Sequence, residues 1–488
     1  MTTYAVTPRA HMAISLVPVL GAMHWAQLNE LNSYVSITAT IEAQWSTWTP
    51  KSHVGADTLS ATQLLLIATV FPLAQWTSSM QPAPSSGTSK LILSCAILAL
   101  SFLALDLLVF FVLYEAVLAP LFIMILNGQM KATKVVAGHS LVMYTMIGSV
   151  PYLIAASYCM STVGTMNMVT LGSTSFKTAE QYLLWPMLMV AMLVKLPSIP
   201  FHVWLPKAHT EAPTAGSMIL AGIVLKLGAY GVLRVVLPLV PSAQVIYSPA
   251  LDMLAIVSAI YGSLLTIRQV DLKRLVAFTS VAHMALMPAA VADGSGDCLL
   301  GAVLLLCSHG LIASLLFAVV GIWYDRCHSR IIRYARGTLG VLPLWTLSFS
   351  MGSLANASLP GTSSYAAELL LLSAIVHSSH SLGVWLCSTL LLSAVYSFWV
   401  LMRVSHGNYC FIASRPADMH WAEALVAAVL IVSVCSVGVY PMLVLTTVLS
   451  SWGLCHYLAW VAETRMAETI SMKFTQSLTA RRLETAGL

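Results

Sequence analysis

Six ionisable residues interrupt sequence that is otherwise apolar. Glu115 sits within LLVFFVLYEAVLAPLF, Lys195 within MLMVAMLVKLPSIP and Lys226 within SMILAGIVLKLGAYG. His283 lies in FTSVAHMALM, His309 in VLLLCSHGLIAS and Glu368 in SSYAAELLLL. A charge at the centre of a spanning helix costs roughly 2.5–3.5 kcal/mol on insertion scales, so such residues mark function more often than accident. A carboxylate beside a buried ammonium favours its charged form, so a Glu–Lys contact that makes and breaks changes proton affinity without any cofactor. Histidine, with a reference pKa of about 6.5, suits relay positions between such groups. The alternative is structural: buried polar groups that bind helices together or snorkel to an interface. That alternative fits the histidines better than Lys195 and Lys226, which sit near the middle of their segments.

These side chains need helices to hold them. Of 488 residues, 58% are hydrophobic and 8% charged, against about 25% charged in soluble domains. That excludes a soluble fold, a secreted disulfide scaffold, a disordered chain and a basic nucleic-acid binder. It implies an all-α integral membrane protein of about fourteen transmembrane helices. The hydropathy places them near 11–28, 31–48, 58–76, 90–105, 107–126, 135–160, 181–205, 214–237, 249–267, 273–292, 298–323, 338–377, 381–403 and 421–447. The second is polar and carries Glu42; the tail from Glu463 is polar enough for a surface helix. The opening MTTYAVTPRAH lacks a signal-peptide layout.

Loops after odd-numbered helices hold Lys90, Lys131, Lys134, Lys207, Arg268, Lys273, Arg274, Arg326, Arg330, Arg333, Arg336, Arg403 and Arg415. Loops after even-numbered helices hold little beyond Lys51 and Lys177. By the positive-inside rule the odd loops face the matrix or cytoplasm. The nine cysteines are scattered without CxxC or Cys/His ligand spacing, so metal and iron–sulfur sites are not expected. The stretch LPKAHTEAPTAGS, with Lys207, His209 and Glu211, reads either as a channel mouth or as an interfacial loop. The run DRCHSRIIRYAR reads as an orientation signal, and Gly228 and Gly231 as close-packing residues beside Lys226.

The helices also suggest a repeat, with 90–240 (helices 4–8) resembling 241–405 (helices 9–13). Residues 1–89 hold helices 1–3, and 406–488 hold helix 14 and the tail. Pro197 and Pro200 interrupt helix 7; Ser358-Leu359-Pro360-Gly361 interrupts helix 12, five helices later. Lys195 and Glu368 flank these breaks, and Glu115 and His283 occupy the fifth and tenth helices. Paired broken helices in two inverted halves point to an ion path at the membrane midplane.

The run VKLPSIPFHVWLPKAHTEAPTAGSMILAGIVLKLGAYG resembles the signature of the antiporter-like membrane-arm subunits of NADH:ubiquinone oxidoreductase (complex I). Among them it is most like the subunit-4 family, whose bacterial counterpart is chain M. The likeness continues through SVAHMALMPA, CSHGLIASLLFAVVGIWYDRCHSRII and SLANASLPGTSSYAAELL, with GADTLSATQLLL upstream, and covers about residues 55–405. It implies an antiporter-like fold of fourteen helices with two inverted five-helix repeats. It implies proton translocation driven by NADH:ubiquinone electron transfer in partner subunits, where the FMN, iron–sulfur clusters and ubiquinone reside. By the same resemblance Glu115 matches the fifth-helix glutamate and Lys195 the lysine that pairs with it. Lys226 matches the central lysine, His283 and His309 the relay histidines, and Glu368 the glutamate that ends the path. Ala367 stands where relatives usually have glycine. The implied setting is multi-pass in the mitochondrial inner membrane, beside antiporter-like subunits 2 and 5 and membrane lipid, cardiolipin included. The rival is a sodium/proton antiporter subunit of a multisubunit cation exchanger, which shares the fold.

Overall fold

A computed structural model describes residues 54–80, 85–127, 131–408 and 417–448. Expected helices 1 and 2 and the polar tail lie outside the described residues. Within them the chain is helical, with isolated β-bridges but no sheet. In chain order the helices are α1 (Thr58–Ser79), α2 (Ser85–Leu103), α3 (Leu107–Leu126), α4 (Ala132–Val163), α5 (Thr178–Lys195) and α6 (Trp204–Glu211). There follow α7 (Thr214–Leu239), α8 (Pro241–Ile267), α9 (Leu272–Asp293), α10 (Gly296–Cys327), α11 (Pro343–Asn356), α12 (Ser363–Ser378), α13 (His380–Ser405) and α14 (Trp421–Val439). Nine helices among the described residues are long and apolar enough to cross a bilayer.

Their burial sorts them into two shells. Helices α7 and α10 are buried along their whole apolar length and α9 nearly so. Helices α4, α8, α13 and α14 expose broad apolar faces, through residues such as Ile147, Met253, Leu391 and Val432. A lipid-facing surface carries apolar side chains just as a core does, so hydropathy alone cannot separate the shells. Lys226, His283 and His309 all lie on the inner helices.

Proline and hydroxyl chemistry explain the interruptions. Proline has no N–H to donate, so the carbonyl four residues back loses its helical partner. Helix α3 breaks at Val117, three residues before Pro120, and α9 breaks at Ala285, three residues before Pro288. Glu115 and His283 each stand two residues before their break. Asp106 and Asp271 cap these two helices, each accepting from two backbone N–H groups. After Lys195, Pro197 and a cis Ile199–Pro200 peptide lead through a short 3₁₀ turn into α6. The freed carbonyls there find side-chain donors: Ser198 Oγ donates to Leu193 O at 3.1 Å and Trp204 Nε1 to Val194 O at 2.9 Å. The expected helix 12 begins only at Pro343 and is divided into α11 and α12 by residues 357–362, where Ser358 and Gly361 have positive φ. The expected helix 14 likewise ends at Val439, before Pro441, and Met442–Val448 forms a separate short helix.

The ends of the bundle differ in charge. At one, Lys273 Nζ donates to Ala212 O at 3.0 Å, Arg330 donates to the Thr210 carbonyl, and Leu272 N bonds Arg330 O at 2.8 Å. This is the basic end of the odd-numbered loops. Two arginines of DRCHSRIIRYAR do more than orient the chain: Arg326 pairs with Glu423 at 2.5 Å and Arg330 with Asp271 at 3.7 Å. At the opposite end Gly55 N bonds Leu103 O and Arg234 pairs with Asp57.

Candidate functional site

The central contact joins α7 to α10. A π-helical turn over Leu220–Val224 precedes Lys226, and such wide turns leave carbonyls out of the regular ladder. Lys226 Nζ donates to one of them, Ala221 O, at 2.6 Å, and lies 2.8 Å from His309 Nδ1. With Lys226 protonated, His309 Nδ1 is the acceptor, so the ring proton sits on Nε2. Both residues are buried. The His309 and His283 rings lie 6.3 Å apart between centroids, with no direct hydrogen bond between them.

His283 continues the row. Its Nδ1 stands 2.8 Å from Glu368 Oε1, and its Nε2 3.1 Å from Tyr396 Oη. Glu368 is 1% exposed, so its charge must be met by protein groups. They are His283 on one oxygen and Ser358 Oγ, donating to Oε2 at 2.5 Å. Ser358 is the positive-φ residue of the α11–α12 break, so the interruption aims a hydroxyl at the carboxylate.

Lys195 and Glu115 form a separate group. Lys195 ends α5, fully buried. It does not form the expected ion pair: among the described residues no Glu115–Lys195 contact falls within salt-bridge distance. Its ammonium instead donates to Tyr114 O at 2.6 Å and sits 3.4 Å above the centre of the Tyr114 ring. Tyr114 Oη in turn donates to Ala191 O at 2.7 Å, locking the ring between α3 and α5. The neighbour before Glu115 therefore takes the ammonium, by a carbonyl and an aromatic face. Glu115 remains near enough to act on Lys195 electrostatically, and its buried Oε1 has no hydrogen-bond partner among the described residues. The structure thus brings together four of the six expected residues in one row and sets the other two beside it.

His209 matters more than the loop reading suggested. It sits on α6, fully buried, with its ring stacked on Phe317 at 4.4 Å and 10°. Among the described residues neither ring nitrogen has a hydrogen-bond partner, and both Lys273 and Lys226 are close enough to act on it. It stands between the basic end and the central lysine. Tyr114, Ser358 and Tyr396 also join the site; nothing in their local sequence separates them from ordinary packing or turn residues. Gly228 proves to be a close-approach position. A Cβ there would meet Leu196 N and Met192 O at 2.9 Å, so α7 lies directly on the backbone at the end of α5. Among the described residues no three His, Cys, Asp or Glu side chains cluster as a metal site would need.

Residues 104–393 match the family model described as "NADH:quinone oxidoreductase/Mrp antiporter, TM". The chain belongs to this family. Similar relatives are the NADH-ubiquinone oxidoreductase chain 4 of Marchantia polymorpha, 40% identical over 70% of this chain and 69% of the relative. That of Arabidopsis thaliana is 37% identical over 81% of each. Among solved structures, a chain of respiratory complex I from Thermus thermophilus superposes with TM-score 0.76 and 26% identity, covering 83% of this chain and 85% of that one. A chain of the Mrp complex from a Dietzia species gives TM-score 0.74 at 17% identity, over 92% and 97% of the two chains, a likeness of fold.

Proposed function

We infer that this chain is a proton-translocating membrane-arm subunit of respiratory complex I, multi-pass in the mitochondrial inner membrane. The curated relatives support this placement, since they are named chain 4 at 34–40% identity. The Mrp likeness is weaker in sequence, which makes the cation-exchanger reading second. The chain carries no redox centre in this reading; NADH oxidation and quinone reduction belong to partner subunits. Its neighbours along the arm are antiporter-like subunits 2 and 5, with lipid, cardiolipin among it, filling the outer apolar faces.

The observation that carries the mechanism is the buried row Lys226–His309–His283–Glu368. Lys226 is the central proton carrier, able to pass a proton to the His309 Nδ1 it touches. His309 and His283 relay it, with one water needed across the gap between the rings. Glu368 receives it through His283 Nδ1. Lys195, held on Tyr114, is the switch: swinging from the Tyr114 carbonyl toward Glu115 would make a buried ion pair that holds its proton more tightly. His209 supplies protons from the basic end. The Lys226→Met complex is predicted to assemble and to lose at least tenfold in proton pumping, read as acidification of sealed vesicles during NADH oxidation. Full pumping by the assembled variant would falsify the carrier role. Co-purification of flavin and iron–sulfur partners separates complex I from the exchanger, which lacks them.

A further inference from the structure

Helix α14 packs beside α11 and α12 as a strut held at both ends. At its start, the Asp418 carboxylate accepts from Leu344 N at 2.9 Å and Trp345 N at 3.2 Å, in the first turn of α11. Arg326, in the last turn of α10, donates to Ala417 O at 2.8 Å and Asp418 O at 3.1 Å and pairs with Glu423 in the first turn of α14. Val426, Leu430, Val434 and Val437 then bury one face along its length. The far end of α14 rests on the α11–α12 break. A Cβ added at Gly438 would meet Gly361 O and the Thr362 carbonyl carbon, and would lie 2.7 Å from Thr362 Cα. Gly438 has no positive φ, so space and not backbone conformation calls for glycine here.

The break carries this contact to Glu368. Thr362 donates to Leu359 O twice, from Oγ1 at 2.7 Å and from its N–H at 3.1 Å. Leu359 follows Ser358, whose N–H donates to Ala355 O at 3.1 Å. Ser364 Oγ donates to the same Ala355 carbonyl. On the other side Asn356 Nδ2 donates to Ser397 Oγ at 3.2 Å and ties the end of α11 to α13. Residues 355–364 are thus cross-braced, and the hydroxyl that meets Glu368 stands in their middle. A displacement of Thr362 moves Ser358 with it.

We propose that Gly438 is a positioning residue of the proton path: its missing side chain lets α14 seat the break so that Ser358 Oγ reaches the Glu368 carboxylate. This rests on the reading of Glu368 as the group that receives the proton at the end of the row. Carbon atoms in ordinary contact stand about 3.5–4.0 Å apart, so a methyl group at 438 must push Thr362 away by about 1 Å. The start of α14 is fixed to α10 and α11, and the atoms it meets are backbone atoms that cannot swing aside, so the break gives way. A shift of about 1 Å takes an O–H···O contact out of good hydrogen-bonding range. Ser358 then loses the carboxylate, and Glu368 keeps only His283.

The test uses the whole complex in sealed vesicles, with assembly checked on native gels. Gly438→Ala is expected to slow proton pumping at least threefold, and Ser358→Ala to slow it by a similar factor. The double variant is expected to pump within twofold of Ser358→Ala alone, because the hydroxyl that the added methyl group would misplace is already gone. A packing defect with no link to Ser358 would multiply the two losses instead, and that result overturns the proposal. Wild-type pumping by assembled Gly438→Ala overturns it too. If Gly438→Ala does not assemble, Thr362→Val takes its place: it keeps the branched shape, removes the Oγ1 bond to Leu359 O and is expected to slow pumping at least twofold. Wild-type pumping by that variant overturns transmission through the break. Loss of pumping in Glu368→Gln beside full pumping in Gly438→Ala removes the positioning role and leaves the acceptor intact. Full pumping in Glu368→Gln removes the acceptor itself.

Discussion

At the residue scale, the site depends on hydrogen bonds that fix neutral and charged partners in place. Glu368 is held by His283 and Ser358, so a neutral isostere and a truncation should differ. Glu368→Gln keeps the volume and most of the hydrogen bonding; the complex should assemble normally while pumping falls tenfold or more. Glu368→Ala additionally leaves buried His283 and half-buried Ser358 without this partner, at about 1–3 kcal/mol for the buried group, and should lower assembled complex on native gels. Equal assembly of the two would mean the carboxylate is not buried as described. The six ionisable residues were legible because a charge in an apolar run is conspicuous. Their hydroxyl and carbonyl partners were not. Tyr396 and Ser358 look like common helix and turn residues, and the carbonyl that takes Lys195 belongs to Tyr114, which no side-chain pattern could indicate.

At the element scale, breaks place the chemistry. Lys195 is the last residue of α5, Lys226 follows a π turn, and the hydroxyl on Glu368 comes from the loop between α11 and α12. Pro197 with Pro200, and the Pro360–Gly361 step, exposed the breaks of the seventh and twelfth predicted helices in the sequence. Those of α3 and α9 were hidden, since Pro120 and Pro288 are isolated within long apolar runs and the chain resumes the helix almost at once. Glycine at 228 was read correctly as a close-packing residue, but not what it packs on. Because its neighbours are backbone atoms that cannot swing away, Gly228→Val should cost about 1–3 kcal/mol of overpacking strain and reduce assembled complex. Gly172, with its nearest neighbour at 3.7 Å, should accept alanine without change in the same native-gel comparison.

At the scale of the whole molecule, an outer shell of apolar faces encloses inner helices that carry the row. Ile147 on α4 is 66% exposed, mid-helix, in a surface made for lipid or a partner subunit. Ile147→Arg should cost roughly 2.5–3.5 kcal/mol on insertion and cut the amount of integrated protein, measured by carbonate extraction of membranes. That basic loops share one end of the bundle was legible, since Lys273 and Arg330 both bond carbonyls of the 210–212 segment. The two shells were not, because lipid and core select the same residues. The 2.8 Å approach of Lys226 to His309 carries a last consequence. Two positive charges at that spacing would repel by roughly 6 kcal/mol at an effective dielectric of about 20. The couple therefore holds a single surplus charge at any moment, and must be emptied before it is refilled. If Lys226 is the carrier proposed above, this couple would act as a one-seat turnstile, passing protons singly between Lys226 and His309.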